Sequence, residues 1–192
     1  MQRMRPLPRL AAVRTILVAV VLATVSGCAP FDPPTPSTPQ LASGTATQDG
    51  ITLTAVAEPA RVATGEVIDV TATLTNDGAD DIELSGSGSG VVFFSVTRLE
   101  DGLTSGPPVM TGDCGGHVVP AREPAVIPFA KSGGYSPDDP NAAFMEAYNA
   151  DPLLTLPPGT WRIDVATYAN LGPGCSGEQL DLALELIVTV TD

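Results

Sequence analysis

The amino-acid sequence predicts an all-β fold, in which antiparallel sheets pack face to face as a β-sandwich. Three observations carry that expectation. Apolar and polar residues alternate at period two over several stretches, the mark of half-buried strands. The 19 glycines and 19 prolines punctuate those stretches at short intervals, which suits tight turns. Only one segment, beginning near Asp139-Pro140, carries the start signals of a helix.

The chain opens on a charged and then apolar segment. Arg3, Arg5, Arg9 and Arg14 precede the run from Thr15 to Val25, and the small residues Ser26 and Gly27 follow. That is the layout of an export signal. The apolar run falls short of the ~20 residues that a membrane-spanning helix needs. Two outcomes are open: cleavage after a small residue to give a secreted protein, or lipid attachment. Val25-Ser26-Gly27-Cys28 resembles the processing motif of bacterial lipoproteins, an aliphatic residue and two small ones ahead of a cysteine. The resemblance implies that residues 1–27 are removed as a signal peptide and that Cys28 is diacylated as the new N-terminus. It places the protein at the cell membrane, lipid-anchored on the extracytoplasmic face. Two acyl chains anchor stably where one is marginal. Residues 28–48 then read as a tether, with Pro30, Pro33, Pro34, Pro36 and Pro39 among Ser, Thr, Gly and Ala. Such a segment has little to bury and favours extended polyproline II.

Residues 49–192 read as the folded domain. Ile51, Leu53 and Ala55 alternate with Thr52 and Thr54, and Ile68, Val70, Ala72 and Leu74 alternate with Asp69, Thr71, Thr73 and Thr75. Asn76-Asp77-Gly78 supplies a turn, since these residues tolerate positive φ. A short strand at Ile82-Glu83-Leu84 leads to a flexible Gly/Ser loop at 86–90, and the next strand covers 91–99, with Asp101-Gly102 turning the chain again. Residues 103–124 read as irregular, and a short strand is expected from Ala125 to Phe129. Asp139 as N-cap and Pro140 at the first helical position predict a helix to Asn149, with Phe144 and Tyr148 sharing a face. Pro152 stops it. Trp161, Ile163 and Val165 alternate after the Pro157-Pro158-Gly159 turn. A loop at 172–177 carries Cys175. Leu180, Leu182, Leu184, Leu186, Val188 and Val190 form what reads as the longest strand.

Two segments bear a further resemblance. Gly65 to Gly78 followed by Ile82-Glu83-Leu84, and Leu156-Pro157-Pro158-Gly159-Thr160-Trp161, resemble the strand–turn–strand and the proline-glycine-aromatic corner of bacterial extracytoplasmic immunoglobulin-like domains. The bacterial intracellular proteinase inhibitor family shares both features. The fold class implied is an antiparallel immunoglobulin-like β-sandwich of about 7–8 strands with one short inserted helix. This chain departs from the inhibitor family in its lipoprotein signal, its cysteine pair and its helical insert. Sandwiches of this kind host unrelated roles, so the resemblance speaks to fold and not to activity.

Charge narrows the partners. From Cys28 onward the chain has five basic residues (Arg61, Arg98, Arg122, Lys131, Arg162) against all 22 acidic ones, a net of −17. Such a surface repels nucleic acid and anionic headgroups, and it favours basic partners or divalent cations. It also serves solubility alone. With Cys28 assigned to lipid, Cys114 and Cys175 remain, and in an oxidising compartment they pair. Closing that loop contributes ~4 kcal/mol in the chain-entropy model. The competing reading is a reactive thiol at Cys114, helped by Asp113 and by His117, the sole histidine. A nucleophile must be free, however, and Cys114 has a partner at hand.

Other chemistry has little purchase. Trp161 reads as a core aromatic or, alternatively, a surface on which a ligand stacks. Asp77, Asp80, Asp81 and Glu83 could offer oxygens to Ca²⁺ but lack the spacing of a calcium loop, and solvated turn charges are the commoner explanation of such a cluster. There is no phosphate-cradling glycine loop and no Gly-x-Ser-x-Gly elbow, and one histidine cannot form a zinc pair. Nothing singles out two of the carboxylates as a glycoside-cleaving pair. The expectation is a cell-envelope binding module, not an enzyme, with no cofactor and no nucleic-acid partner. It would act through loops near 86–90, 114–117 and 172–177, with Asp113 and His117 at the contact surface. The alternatives are a structural envelope component without ligand, a protease inhibitor, or a hydrolase or redox protein using His117 and Cys114.

Overall fold

The structure, a computed structural model, describes residues 40–192. The export signal, Cys28 and the tether up to residue 39 therefore lie outside the described residues. The described chain forms β1 (Ala42–Gln48), β2 (Ile51–Glu58), β3 (Arg61–Ala63), β4 (Asp69–Asn76), β5 (Ile82–Gly86), β6 (Val92–Arg98), β7 (Gly115–Val119), β8 (Ala125–Pro128), α1 (Ala142–Ala150), β9 (Gly159–Thr167), β10 (Ala169–Leu171), β11 (Gln179–Leu180) and β12 (Ala183–Thr191). Three four-stranded sheets have the orders β1-β2-β4-β8, β3-β12-β9-β6 and β11-β10-β5-β7. Every strand pair is antiparallel except β3 with β12.

The all-β sandwich with a single short helix is what the alternation predicts. One hydrophobic core joins the sheets: Leu53 of β2, Val70 and Leu74 of β4, Trp161 and Ile163 of β9, Leu186 and Val188 of β12, and Leu84 and Leu180 from the third sheet. The strand number differs from the seven or eight expected, because twelve strands form and several are only two to five residues long.

Four further expectations need correction. The tether does not extend to Gln48: Ala42–Gln48 is strand β1, paired along its length with β2. Asp49 and Gly50 connect them with φ of 51° and 78°, the two positive values that a type I′ hairpin demands and that Asp-Gly provides. The residue pattern conceals this strand, because its inward residues Ala42, Gly44 and Ala46 are too small to mark an apolar face. The stretch 103–124 is not irregular throughout, since Gly115–Val119 pairs with β5 as β7. The helix starts at Ala142 rather than at Pro140. Asn141 takes the N-cap position without a side-chain cap, while the Asp139 carboxylate accepts from the Asn141 N–H at 2.8 Å, forming a turn ahead of the helix. Finally, the run from Leu180 to Val190 is broken into β11 and β12, which belong to different sheets.

That break explains itself physically. β9 and β10 part at Tyr168, beside the gap between β11 and β12, so two strands change sheets together. Buried Thr167 holds the crossing: its hydroxyl donates to Leu180 O at 2.7 Å and accepts from Leu182 N at 2.9 Å. Leu180 and Leu182 both stay buried on the same core, so the apolar alternation runs through the break undisturbed.

Candidate functional site

The backbone brings the expected loops to one end of the third sheet. β7 lies beside β5 with Gly115 opposite Gly86, and β10 lies on the other side of β5 with Leu171 opposite Leu84. The chain after Leu171 folds back across β5. Gly172 N–H donates to Glu83 O at 2.8 Å, and Cys175 N–H donates to Ser85 Oγ at 2.9 Å. Cys175 then bonds to Cys114, with Cα atoms 5.9 Å apart. The covalent tie covers Ser85, which is 1% exposed although it sits on the side of β5 away from the core residue Leu84. Cys114 is therefore bonded and the reactive-thiol reading is withdrawn.

The loop at 86–90 is a tight turn and not a flexible link. Gly90 N–H donates to Ser87 O at 3.0 Å. Ser87 is 5% exposed, and its hydroxyl meets Ser89 Oγ at 2.7 Å and Thr111 Oγ1 at 2.8 Å while accepting from Thr111 N–H at 3.0 Å. His117 Nε2 lies 2.9 Å from Ser87 O, so Nε2 carries the proton there and Nδ1 is the nitrogen left to meet a partner. Asp113 accepts from Gly88 N–H at 3.1 Å. The Thr111 hydroxyl, and then the Gly88 N–H, hold the Asp113 carboxyl below the ordinary carboxylate range. Gly115 must be glycine for this closeness, because a Cβ there would stand 2.8 Å from Gly88 Cα.

Asp113 and His117, the two residues expected at a contact surface, thus both grip the Ser87–Gly88 backbone. Asp113 is exposed and His117 half-buried. The end they form can recognise a partner by polar contacts and by shape. Its thiols are bonded to each other, and its buried serines Ser85 and Ser87 are hydrogen-bonded to the scaffold. Ser85, Ser87 and Thr111, which organise the end, were not singled out in the sequence. Serines and threonines in a Gly-rich stretch carry no signal that distinguishes a buried hub from a solvated link.

Trp161 and the acidic turn each take one of their two readings, core aromatic and solvated charges. Trp161 is fully buried, its Nε1–H donates to Pro157 O at 2.9 Å, and Phe144 stacks on it at 5.6 Å. It is a core residue and presents no face for a ligand. Asp77, Asp80, Asp81 and Glu83 do not converge, and no three Asp, Glu, His or Cys residues gather as metal ligands among the described residues. The turn is organised by Asn76 instead, which is 1% exposed and whose amide donates to Asp80 O at 2.8 Å and accepts from Gly78 N–H at 2.9 Å. Asp81 is spent on Ala121 N–H at 2.8 Å.

No family model, curated protein or solved structure matches the chain.

Proposed function

We propose that the protein is an extracytoplasmic lipoprotein, anchored through Cys28, whose folded domain binds another component of the cell envelope through its disulfide-tied end. The observation that carries the binding assignment is the Cys114–Cys175 bond, which closes loop 172–177 over β5 beside Asp113, His117 and the Ser87–Gly90 turn. Such a staple spares a partner the cost of ordering these glycine-rich loops. A disulfide also suits an oxidising compartment, in keeping with the export signal. Two positions supply the polar contacts: the Asp113 carboxylate and Nδ1 of His117.

Two measurements test the reading separately. Mass spectrometry of the N-terminal peptide should find Cys28 carrying a diacylglycerol, and Cys28→Ser should move the chain from the membrane fraction to the soluble one. An unmodified Cys28 on an unprocessed chain overturns the anchor. Crosslinking in native membranes should capture a reproducible envelope partner that is lost with Asp113→Ala and His117→Ala together. Capture unchanged by that pair, or by reduction of the disulfide, moves the contact elsewhere. Capture of nothing favours a purely structural role.

A further inference from the structure

A second surface lies at the opposite extreme of sheet design. Sheet edges expose unpaired N–H and C=O groups, and natural proteins guard them with brevity, charge, proline or a covering segment. Most edges here are guarded. β3 has three residues, β11 two, and β8 four ending on Pro128. β6 is covered at its end by residues 103–105, through Ser105 N–H to Val96 O at 3.0 Å and Arg98 N–H to Leu103 O at 2.7 Å. β7 is stapled at its start by the disulfide and followed by Pro120.

Among the described residues, β1 has none of these devices. It is seven residues, Ala-Ser-Gly-Thr-Ala-Thr-Gln, without charge, proline or bulge, in unbroken register with β2. Among the described residues, β2 is its only hydrogen-bonded strand neighbour. In a chain with 22 acidic residues, this edge is where two copies can approach with least repulsion.

Its sequence is also self-complementary. An antiparallel pairing centred on Thr45 sets Thr45 against Thr45, Ser43 against Thr47 and Gly44 against Ala46. Hydroxyls then meet on the outer face, while on the inner one Gly44 meets Ala46 and Ala42 stands opposite Gln48, whose amide is held by Gln179 O and Asp181 N–H. β1 already makes such contacts with β2, where Thr45 Oγ1 lies 3.4 Å from Thr54 Oγ1 and Thr47 Oγ1 3.0 Å from Thr52 Oγ1. Slipping by one residue would set hydroxyls against the inner face, so the side-chain period excludes the odd slips, and of the even registers the one centred on Thr45 pairs all seven residues.

We infer that β1 is a self-pairing edge: two copies of this chain join β1 to β1, antiparallel about Thr45, and merge two four-stranded sheets into one. The pairing is isologous, since one patch meets itself about a two-fold axis. A seven-residue edge covers less than the ~800 Å² per partner of a standard interface, so the association is weak and is best trapped covalently. It does not depend on what the disulfide-tied end binds.

Cysteine trapping of the full chain in the membranes of producing cells, with mild oxidation and non-reducing electrophoresis, tests it. Directly opposed residues bring Cβ atoms to ~5 Å, close to what a disulfide requires, whereas Thr47 of one copy stands four residues, or ~13 Å, from Thr47 of the other. Thr45→Cys should give a band at twice the chain mass at least about tenfold stronger than Thr47→Cys. Both positions are exposed and face the same way, so Thr47→Cys also controls for folding and for random collision. Equal yields, no dimer band, or an adduct of a different mass at both positions would each overturn the pairing, the last in favour of a foreign strand on this edge.

Discussion

The two ends of the sandwich are held by different physics. At the disulfide-tied end the residues are small and polar: glycines approach closely, serines and threonines bond to one another, and a covalent link closes the loop. At the other end, α1 is held by apolar and aromatic packing. Phe144 contacts both Tyr148 and Trp161, with ring centroids 5.5 Å and 5.6 Å away. Lys131, the sole lysine, closes the helix C-terminus by donating to Tyr148 O at 2.6 Å and Asp151 O at 2.7 Å, with its ammonium 4.3 Å from the Tyr148 ring. An end without bulky side chains gains little from burial and needs a crosslink, whereas an end with an aromatic cluster does not. The loops best suited to meet a partner are therefore the ones that packing alone could not order.

Substitutions can break that contrast. Trp161→Ala removes the largest fully buried side chain, its stack on Phe144 and its bond to Pro157, and should cost ~4 kcal/mol, read from denaturant or thermal unfolding. Hydrogen exchange should rise in α1 and much less at residues 111–117. Cys114→Ser with Cys175→Ser should cost nearly as much, ~4 kcal/mol for a sequence separation of 61, but with the exchange pattern reversed. If both variants loosened both ends equally, the division would be wrong.

Lys131→Met leaves two helix-end carbonyls without their donor and should cost ~2 kcal/mol, with fraying confined to the last turn of α1. Tyr148→Phe runs the other way. The Tyr148 hydroxyl is buried near Ser105 without a well-formed hydrogen bond, so its removal should stabilise the fold by ~1 kcal/mol. Burial also raises the Tyr148 phenol above its ordinary value. The unfolded chain thus releases this proton near pH ~10 while the folded chain keeps it, and stability falls as pH climbs past that point. Burial lowers the Lys131 ammonium and gives a slope of opposite sign below its ordinary value of 10.5. The alkaline loss should disappear in Tyr148→Phe and persist in Lys131→Met.

The smallest effect is at the acid end. Arg98 holds the Asp101 carboxyl down to about 2, with help from the Leu103 N–H. Its contribution is present above the ordinary carboxylate range and fades as pH falls toward about 2. Asp101→Asn should flatten that limb of the pH–stability curve by lowering stability slightly at neutral pH, the two proteins converging as pH falls toward about 2.

Legibility in the sequence followed side-chain size. Strands with two or more large apolar residues on their inward face, such as β2, β4, β9 and β12, stand out because such residues mark a buried face by themselves. β1 and β7 do not, since Ala, Gly and Ser are compatible with strand, loop or tether alike. The Asp49-Gly50 pair was the missed signal for β1. At the candidate site the cysteine pairing was legible, because two thiols in one compartment have few options. The roles of Ser85, Ser87 and Asn76 were not, because a short polar side chain becomes an organiser only when distant backbone closes over it.

Taken alone, the sequence determined the class of fold, the pairing of Cys114 with Cys175, and the turns where glycine and asparagine act locally. These depend on alternation and on nearest neighbours along the chain. Tertiary structure alone decided between the two readings of Trp161 and of the acidic residues around Asp77–Glu83, made one apolar run serve two sheets, and left β1, among the described residues, an unguarded edge. Each of these is settled by what packs against a residue from far away in the chain, and one-dimensional pattern carries no record of that.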